Sequence, residues 1–312
     1  MNKYDILDSA PYDEEEKAKL ASYPKTIGPV QIGDLYYTLK EDWEMNEDWD
    51  IEWHRTADVT EVPEHRGGDN YPGLTTAHIP SVISYDDEDF NVTRIESGAF
   101  MHCRSLRSVT IPGSIEGIED YAFAYCPCLT SIEIPDSVTH IGDSAFLDCK
   151  LVSVKFPDSV SSIRDMAFYD ALVAVHNRLL FAHLPLSYSG IYTVPDGIQT
   201  IAEGALGHHA NLTGVVLPDS VTYIGDYAFC HCDALTCLTC KATVPPSLGK
   251  DVFLHTNMSI PLYVPAESLE RYQSASQWQM FTRIQAIPDN PWQRIRQWIS
   301  IQINRMITRI SR

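Results

Sequence analysis

The chain has 312 residues, 44% of them apolar and 21% charged, with a formal net charge of −19. That composition excludes collagen-like, mucin-like and wholly disordered chains, and the absence of a run of eighteen apolar residues excludes an obvious membrane-spanning helix. The acidic balance excludes avid non-specific binding of nucleic acid by the chain as a whole.

The charge is unevenly placed. Residues 1–90 carry a net −15, residues 91–289 a net −9, and residues 290–312 a net +5 with five Arg and no acid. An acidic head, a nearly balanced middle and a basic tail are three differently constrained segments. Residues 1–30 open MNKYDILDSAPYDEEEKAKL, with neither the basic start nor the apolar core of a secretory signal. As written, the chain starts in the cytoplasm or at a membrane periphery; a trimmed N-terminus would hide an export signal. This segment reads as acidic and either helical or poorly ordered.

Residues 31–91 read as an N-terminal β cap. Leu35–Leu39 and Ala57–Val62 are strand-like and flank the acidic stretch Glu41–Asp50, which reads as a solvated loop. Ser81–Tyr85 and Phe90–Ile95 read as a hairpin around Asp86-Asp87-Glu88-Asp89.

A repeat then takes over, across 92–240. Ala-Phe recurs at Ala99-Phe100, Ala122-Phe123, Ala145-Phe146, Ala167-Phe168 and Ala228-Phe229, with Ala205-Leu206 as a variant. The first four lie 23, 23 and 22 residues apart, and Leu206 to Phe229 is again 23. One unit reads Ile115-x-x-Ile118-x-x-x-Ala122-Phe123-x-x-Cys126-x-x-Leu129-x-x-Ile132-x-Ile134-Pro135. A unit this short cannot bury its own apolar side, so units must stack as coils of a solenoid. The Leu-x-x-Ile-x-Ile segment alternates along a short strand, and neighbouring coils pair such strands into a parallel sheet. The following Pro ends the strand, and Asp136-Ser137, Asp158-Ser159 and Asp219-Ser220 supply turn chemistry. Between Phe168 and Leu206 about 15 residues are extra, and the stretch near 172–193 reads as an added hairpin.

Residues 241–286 read as a C-terminal cap. Ile260–Pro265 is a last strand, and Ala266–Gln277 a helix that turns Tyr272 and Trp278 inward. Residues 287–312 read as a basic amphipathic helix, with Trp292, Ile295, Trp298, Ile299, Ile303, Met306, Ile307 and Ile310 on one face. Its candidate contacts are Trp292, Arg294, Arg296, Trp298, Arg305 and Arg309. It can pack on its own solenoid, self-associate, fill a partner's groove or lie on an anionic membrane.

Chemistry is sparse. Eight cysteines are present, but Cys103, Cys126, Cys149 and Cys232 align at one interior position, and Cys240 aligns with Leu217 and Ile111. Buried free cysteine behaves as a small hydrophobe, so neither a metal site nor a disulfide framework is expected. His208-His209 falls among the variable residues between Phe and Cys, where surface or edge placement fits better than ligation. No Gly-x-Ser-x-Gly, Cys with a recognisable catalytic context or Gly-rich phosphate loop occurs, so no catalytic residue, metal or cofactor is assigned.

The remaining surface is the outer face of the repeat sheet. One column reads Ser108, Ser131, Ser153, Gly214 and Cys237, and the next Thr110, Glu133, Lys155, Val216 and Thr239. It reads as a smooth, weakly charged surface suited to an unknown protein partner. The candidate contacts are Arg107, Ser108, Thr110, Ser131, Glu133, Ser153, Lys155, Val216 and Thr239.

The pattern resembles the BspA-like leucine-rich-repeat family from about Ile79 to Pro245, and Ile224-Gly225-Asp226-Tyr227-Ala228-Phe229-Cys230-His231-Cys232 reproduces its motif with few gaps. The resemblance implies a right-handed leucine-rich-repeat solenoid. Its parallel β-sheet is joined by short helical or irregular turns, with capping segments and the C-terminal helix added. It further implies a bacterial, often cell-surface or secreted protein that binds other proteins and catalyses nothing. Two alternatives stand beside that reading: a peripheral membrane protein held by its tail, and a surface adhesin.

Overall fold

The computed structural model describes residues 14–45, 51–63 and 70–288. The predicted tail helix, with its six candidate residues from Trp292 to Arg309, lies outside them.

The N-terminal cap begins with helix α1 (Glu14–Ala21) and strands β1 (Lys25–Ile32), β2 (Leu35–Met45) and β3 (Ile51–Thr60), the strands pairing antiparallel in sequence. The segment assigned to 1–30 therefore holds a helix and most of a paired strand. The acidic stretch is not all loop: residues 41–45 continue β2, and Trp43 is buried there with Leu20. Its indole Nε1 donates to the Leu20 carbonyl at 2.8 Å, which fastens α1 to the hairpin. Three strands follow: β4 (Thr76–His78), β5 (Val82–Tyr85) and β6 (Glu88–Ile95). β5 and β6 form the expected hairpin, but its turn is only Asp86-Asp87, with φ of 50° and 63°. Paired positive φ angles are what a two-residue turn needs to match strand twist, and Asp tolerates them.

Each coil then contributes one strand to a front sheet and a shorter one to a back sheet. The front strands are β7 (Ser108–Thr110), β9 (Ser131–Glu133) and β11 (Ser153–Lys155), and the back strands β8 (Gly117–Ile118), β10 (His140–Ile141) and β12 (Ser162–Ile163). The hairpin β13 (Val175–His176) and β14 (Leu180–His183) interrupts them. A second block continues with front strands β15 (Gly190–Thr193), β17 (Leu212–Leu217), β19 (Cys237–Cys240) and β21 (Pro261–Val264), and back strands β16 (Thr200–Ile201), β18 (Tyr223–Ile224) and β20 (Ser247–Leu248). Helix α2 (Leu269–Ser274) and strand β22 (Arg283–Ala286) close the chain. The whole makes about eight coils of a parallel solenoid.

The Ala-Phe turn is the third side. It is a hydrogen-bonded ladder in its own right: Phe100 N donates to Ala122 O at 2.7 Å, and Phe123 N to Ala145 O and Phe146 N to Ala167 O at 2.8 Å. Most turns double back through two left-handed residues, and the Ala167-Phe168 turn through Met166 alone. One column holds Tyr121, Ser144, Met166, Tyr227 and Asp251; the other holds His102, Tyr125, Asp148, His208, His231 and His255. Positive φ is costly for such residues, so neighbouring coils must hold it in place. The interior alanine is small because the chain folds back on itself there. Phe100, Phe123, Phe146 and Phe168 stack at 5.1, 5.3 and 5.1 Å with planes within 9°. The aligned cysteines are hydrogen-bond donors: Cys126 Sγ donates to Phe100 O at 3.1 Å, Cys149 to Phe123 O at 3.0 Å and Cys232 to Leu206 O at 3.0 Å. Burial pushes the Cys232 thiol up to about 12, so it stays a thiol. Two of the three Asp-Ser serines do more than cap turns, while the buried Ser159 hydroxyl finds no partner. Ser137 and Ser220 donate to Ile115 O and Ile198 O, one coil back, at 2.5 and 2.7 Å.

The solenoid runs on past residue 240. Leu248-Gly249 and Val252-Phe253 make another coil, with Phe253 on Phe229 at 5.2 Å and Thr256 in the cysteine column, donating to Phe229 O. The final strand is β22, parallel to β21, rather than β21 itself. Helix α2 stops at Ser274, so Trp278 follows it in a turn; Tyr272 and Trp278 are buried as expected.

The inserted hairpin is also a restart. β14 joins the second back sheet parallel to β16, with Phe181 beside Ile201, while β13 forms its edge. Neither β12 nor β11 pairs across the junction, so both sheets break there. Asn177 spans the break, its amide donating to Pro157 O and Val160 O at 3.1 Å. Two histidines are buried close by. His183 Nε2 donates to Ala171 O at 3.2 Å and His209 Nε2 to Leu184 O at 3.1 Å. His209 is thus interior, three residues after Leu206 as Cys232 is after Phe229, whereas His208 is exposed.

Burial holds the His183 imidazole down to about 4. In the unfolded chain it titrates near 6.5, so the unfolded state binds more protons between these values. The stabilisation is complete above about pH 6.5 and is lost as pH falls through about 4, amounting to about 3 kcal/mol. Denaturant titrations at pH 7 and pH 4 should show that extra acid loss in wild type relative to His183→Gln, whose amide can still donate to Ala171 O. Equal losses in both proteins would refute a buried neutral imidazole.

Candidate binding face

On the front sheet alternate side chains point in and out, so the middle residue of each three-residue strand faces the core and its neighbours face solvent. In the first block Ser108, Thr110, Ser131, Glu133, Ser153 and Lys155 are all exposed, as predicted positions of an outer face must be. β4 extends this face, placing Thr76 beside Ser108 and His78 beside Thr110. The Ser108 hydroxyl donates to Thr76 Oγ1 at 3.3 Å. Lys155 and Glu133 pair with each other across β11 and β9, and that contact raises the lysine's pKa. Both are well exposed, so the pair contributes little to stability and mainly cancels charge. Arg107 is exposed at the strand entrance, its backbone N–H donating to Thr75 O at 2.8 Å.

The second block presents a different chemistry. Register places Ile191 beside Gly214 and Gly214 beside Cys237; the next column runs Thr193, Val216, Thr239, Tyr263 and Gln285. Val216 and Thr239 are half-buried, because Tyr263 and the neighbouring rungs crowd them, while Ile191 keeps 58% of its surface exposed. Gly214 sits beneath. A Cβ there would meet Cys237 Sγ at 3.0 Å and Ile191 Cγ1 at 3.1 Å. The glycine therefore lets an isoleucine and a cysteine close over the backbone into a flush apolar patch.

The nine candidate residues consequently fall into two groups. Seven lie on the polar first block, whose front strands form the two pairs β4–β7 and β9–β11, and two on the apolar second, which pairs with neither. The expected smooth, weakly charged surface describes only the first. Ile191 and Tyr263 are not among the nine. Aligning Val194-Pro195 with Leu217-Pro218 sets Thr193 beside Val216 and Ile191 beside Gly214, which is the signal available for Ile191. Tyr263 carries no such marker, since its strand ends in the cap.

No group of three or more His, Cys, Asp or Glu side chains able to hold a metal occurs among the described residues. Cys230 is buried and Cys237 half-buried, and Cys240 Sγ accepts from the Tyr272 hydroxyl at 3.1 Å. No helix among the described residues is long and apolar enough to cross a membrane.

A family model for the BspA type leucine-rich repeat region matches six copies in residues 83–173 and 187–274, more than half of the chain. The chain belongs to the BspA-type leucine-rich-repeat family. The gap between the two matched BspA-type stretches coincides with the hairpin junction. Among solved structures, a leucine-rich repeat protein of T. pallidum is 22% identical, with 79% of this chain and 97% of that one covered and a TM-score of 0.43. A leucine-rich repeat protein of Bacteroides ovatus is 18% identical over 79% of this chain and 75% of that one, with a TM-score of 0.35. The pneumococcal vaccine antigen PcpA is 13% identical over 86% and 99%, with a TM-score of 0.32. No curated protein matches the chain.

Because the BspA-type front sheet has no space above Gly214, Gly214→Ala should destabilise by about 1–2 kcal/mol as Ile191 and Cys237 are pushed apart. Thermal melting reads this as a lowered midpoint. An unchanged or raised midpoint would mean the patch is slack.

Proposed function

We propose that the chain is a non-enzymatic protein-interaction module that binds through the front sheet, with the apolar patch of Ile191, Val216, Thr239 and Tyr263 as its centre. One observation carries this reading: an isoleucine more than half exposed on a sheet face, seated flush beside a glycine that admits it. Exposed apolar side chains on a rigid, pre-ordered surface cost little entropy when a partner covers them. The polar columns of the first block then serve as a rim whose hydroxyls and paired charges set orientation rather than affinity. Membership of the repeat family supports the non-enzymatic part. So does the use of aligned cysteine and serine side chains for coil-to-coil hydrogen bonds.

The test takes the partner retrieved by the full chain from its native host and measures affinity with three variants. Ile191→Asp combined with Val216→Asp should weaken binding at least tenfold. Thr110→Ala, Glu133→Ala and Lys155→Ala together should weaken it less, and Arg94→Ala with His140→Ala on the back sheet should leave it unchanged. All three must melt like wild type. Loss confined to the back-sheet variant, or no loss in either front-sheet variant, would overturn the assignment.

A further inference from the structure

Three histidines stand in one column on the outer corner of the second block. His208, His231 and His255 occupy the same turn position in successive coils, with φ of 60°, 52° and 58°, so their side chains leave the backbone in the same direction. All three are exposed. The rings of His208 and His231 lie 4.9 Å apart with planes at 22°, and those of His231 and His255 lie 4.6 Å apart at 28°. Other histidines use a ring nitrogen in the fold: His183 Nε2 and His209 Nε2 donate to carbonyls, and His140 Nε2 meets Glu119. No hydrogen bond to a ring nitrogen of the three column histidines occurs among the described residues. The Tyr169 ring lies T-shaped to His208, with centroids 5.9 Å apart.

We propose that this column binds one divalent transition-metal ion between adjacent imidazoles, with His231 required and His208 and His255 interchangeable. Neutral imidazole is the commonest protein ligand for such ions and binds at about 2.0–2.1 Å. Two nitrogens at a roughly right or tetrahedral angle around one ion lie about 2.9–3.4 Å from each other. The rings are stacked 4.6–4.9 Å apart with near-parallel planes, so both must swing about their side-chain torsions to converge on one ion, which exposed side chains are free to do and a buried pair is not. The two outer rings are two coil steps apart, so no ion engages all three. This agrees with the lack of a converging three-ligand group. Water completes the coordination shell. His231 belongs to both possible pairs, so occupation of one pair excludes the other. The neighbouring Cys230 is buried, whereas the three imidazoles are exposed. Nitrogen-only ligation favours copper, nickel and zinc over magnesium or calcium.

The test is calorimetric titration of the full chain with Ni2+ at pH 7.5, comparing wild type with His208→Gln, His231→Gln, His255→Gln and the double variant His208→Gln/His255→Gln. His231→Gln should bind one ion fewer than wild type. Each flanking single variant should keep that ion with about a twofold lower affinity, the statistical cost of losing one of two equivalent pairs, and the double variant should lose it. Retention of the ion by His231→Gln would overturn the proposal. So would complete loss in either flanking single variant, which would place the ion in one fixed pair or in a site outside the column. Matching circular dichroism and melting midpoints establish that these surface changes leave the fold intact.

Discussion

Everything in this molecule follows from one shortage. A coil of about 23 residues has an apolar side but no volume in which to bury it, so every coil depends on the coil before and after. The stacked phenylalanines are the most direct expression of that dependence. Phe100, Phe123, Phe146 and Phe168 are fully or almost fully buried, and each ring is covered by the next. The backbone repeats the arrangement, since the Phe N–H bonds go to the next coil, and the cysteine thiols and serine hydroxyls reach the previous one. Left-handed backbone at eleven non-glycine positions of the two turn columns is tolerated only because these bonds over-determine it.

The same dependence explains the irregular parts. An end coil lacks a neighbour, and each end is closed by a different device. At the start, the antiparallel β1–β3 sheet joins the back sheet through parallel pairing of β3 with β6, and the Tyr71 ring covers Phe100 at 5.3 Å. At the finish, Trp278 and Phe281 close over Phe253, and β22 covers the edge of β21. The junction between the two blocks has to solve both problems at once. A hairpin precedes the first full coil of each block, β5–β6 in one and β13–β14 in the other. The second hairpin brings buried polar groups with it: Asn177, His183 and His209. Outward positions of the front strands are the places where packing dictates residue type least.

Much of this is legible in the sequence because the constraint repeats. The spacing of Ala-Phe and of the aligned cysteines is enough to set the coil length, the interior column and the fate of the cysteines. The parts that escape are those where another residue meets the same physical need. Val252-Phe253 and Thr256 replace Ala-Phe and Cys, and Thr256 still donates to the Phe carbonyl, so the coil is real although the motif is not. His209 replaces Cys in the same way. The acidic stretch hides Trp43, which pairing with β3 and the helix α1 draw inward. The candidate face is only half legible. Its polar columns follow from period two, but the apolar patch depends on the register across Gly214, and the sheet break between β11 and β15 leaves no mark in hydrophobic period.

The decisive measurement is amide hydrogen exchange on Phe146→Ala, in the middle of the aromatic stack. Removing a buried phenylalanine costs about 3–5 kcal/mol. If the coils share one core, exchange should quicken in the turns on both sides, including the Phe123 and Phe168 amides, along with the loss of global stability. Acceleration confined to residues 142–149, with the flanking coils as protected as in wild type, would show that each coil stands by itself and would contradict the account.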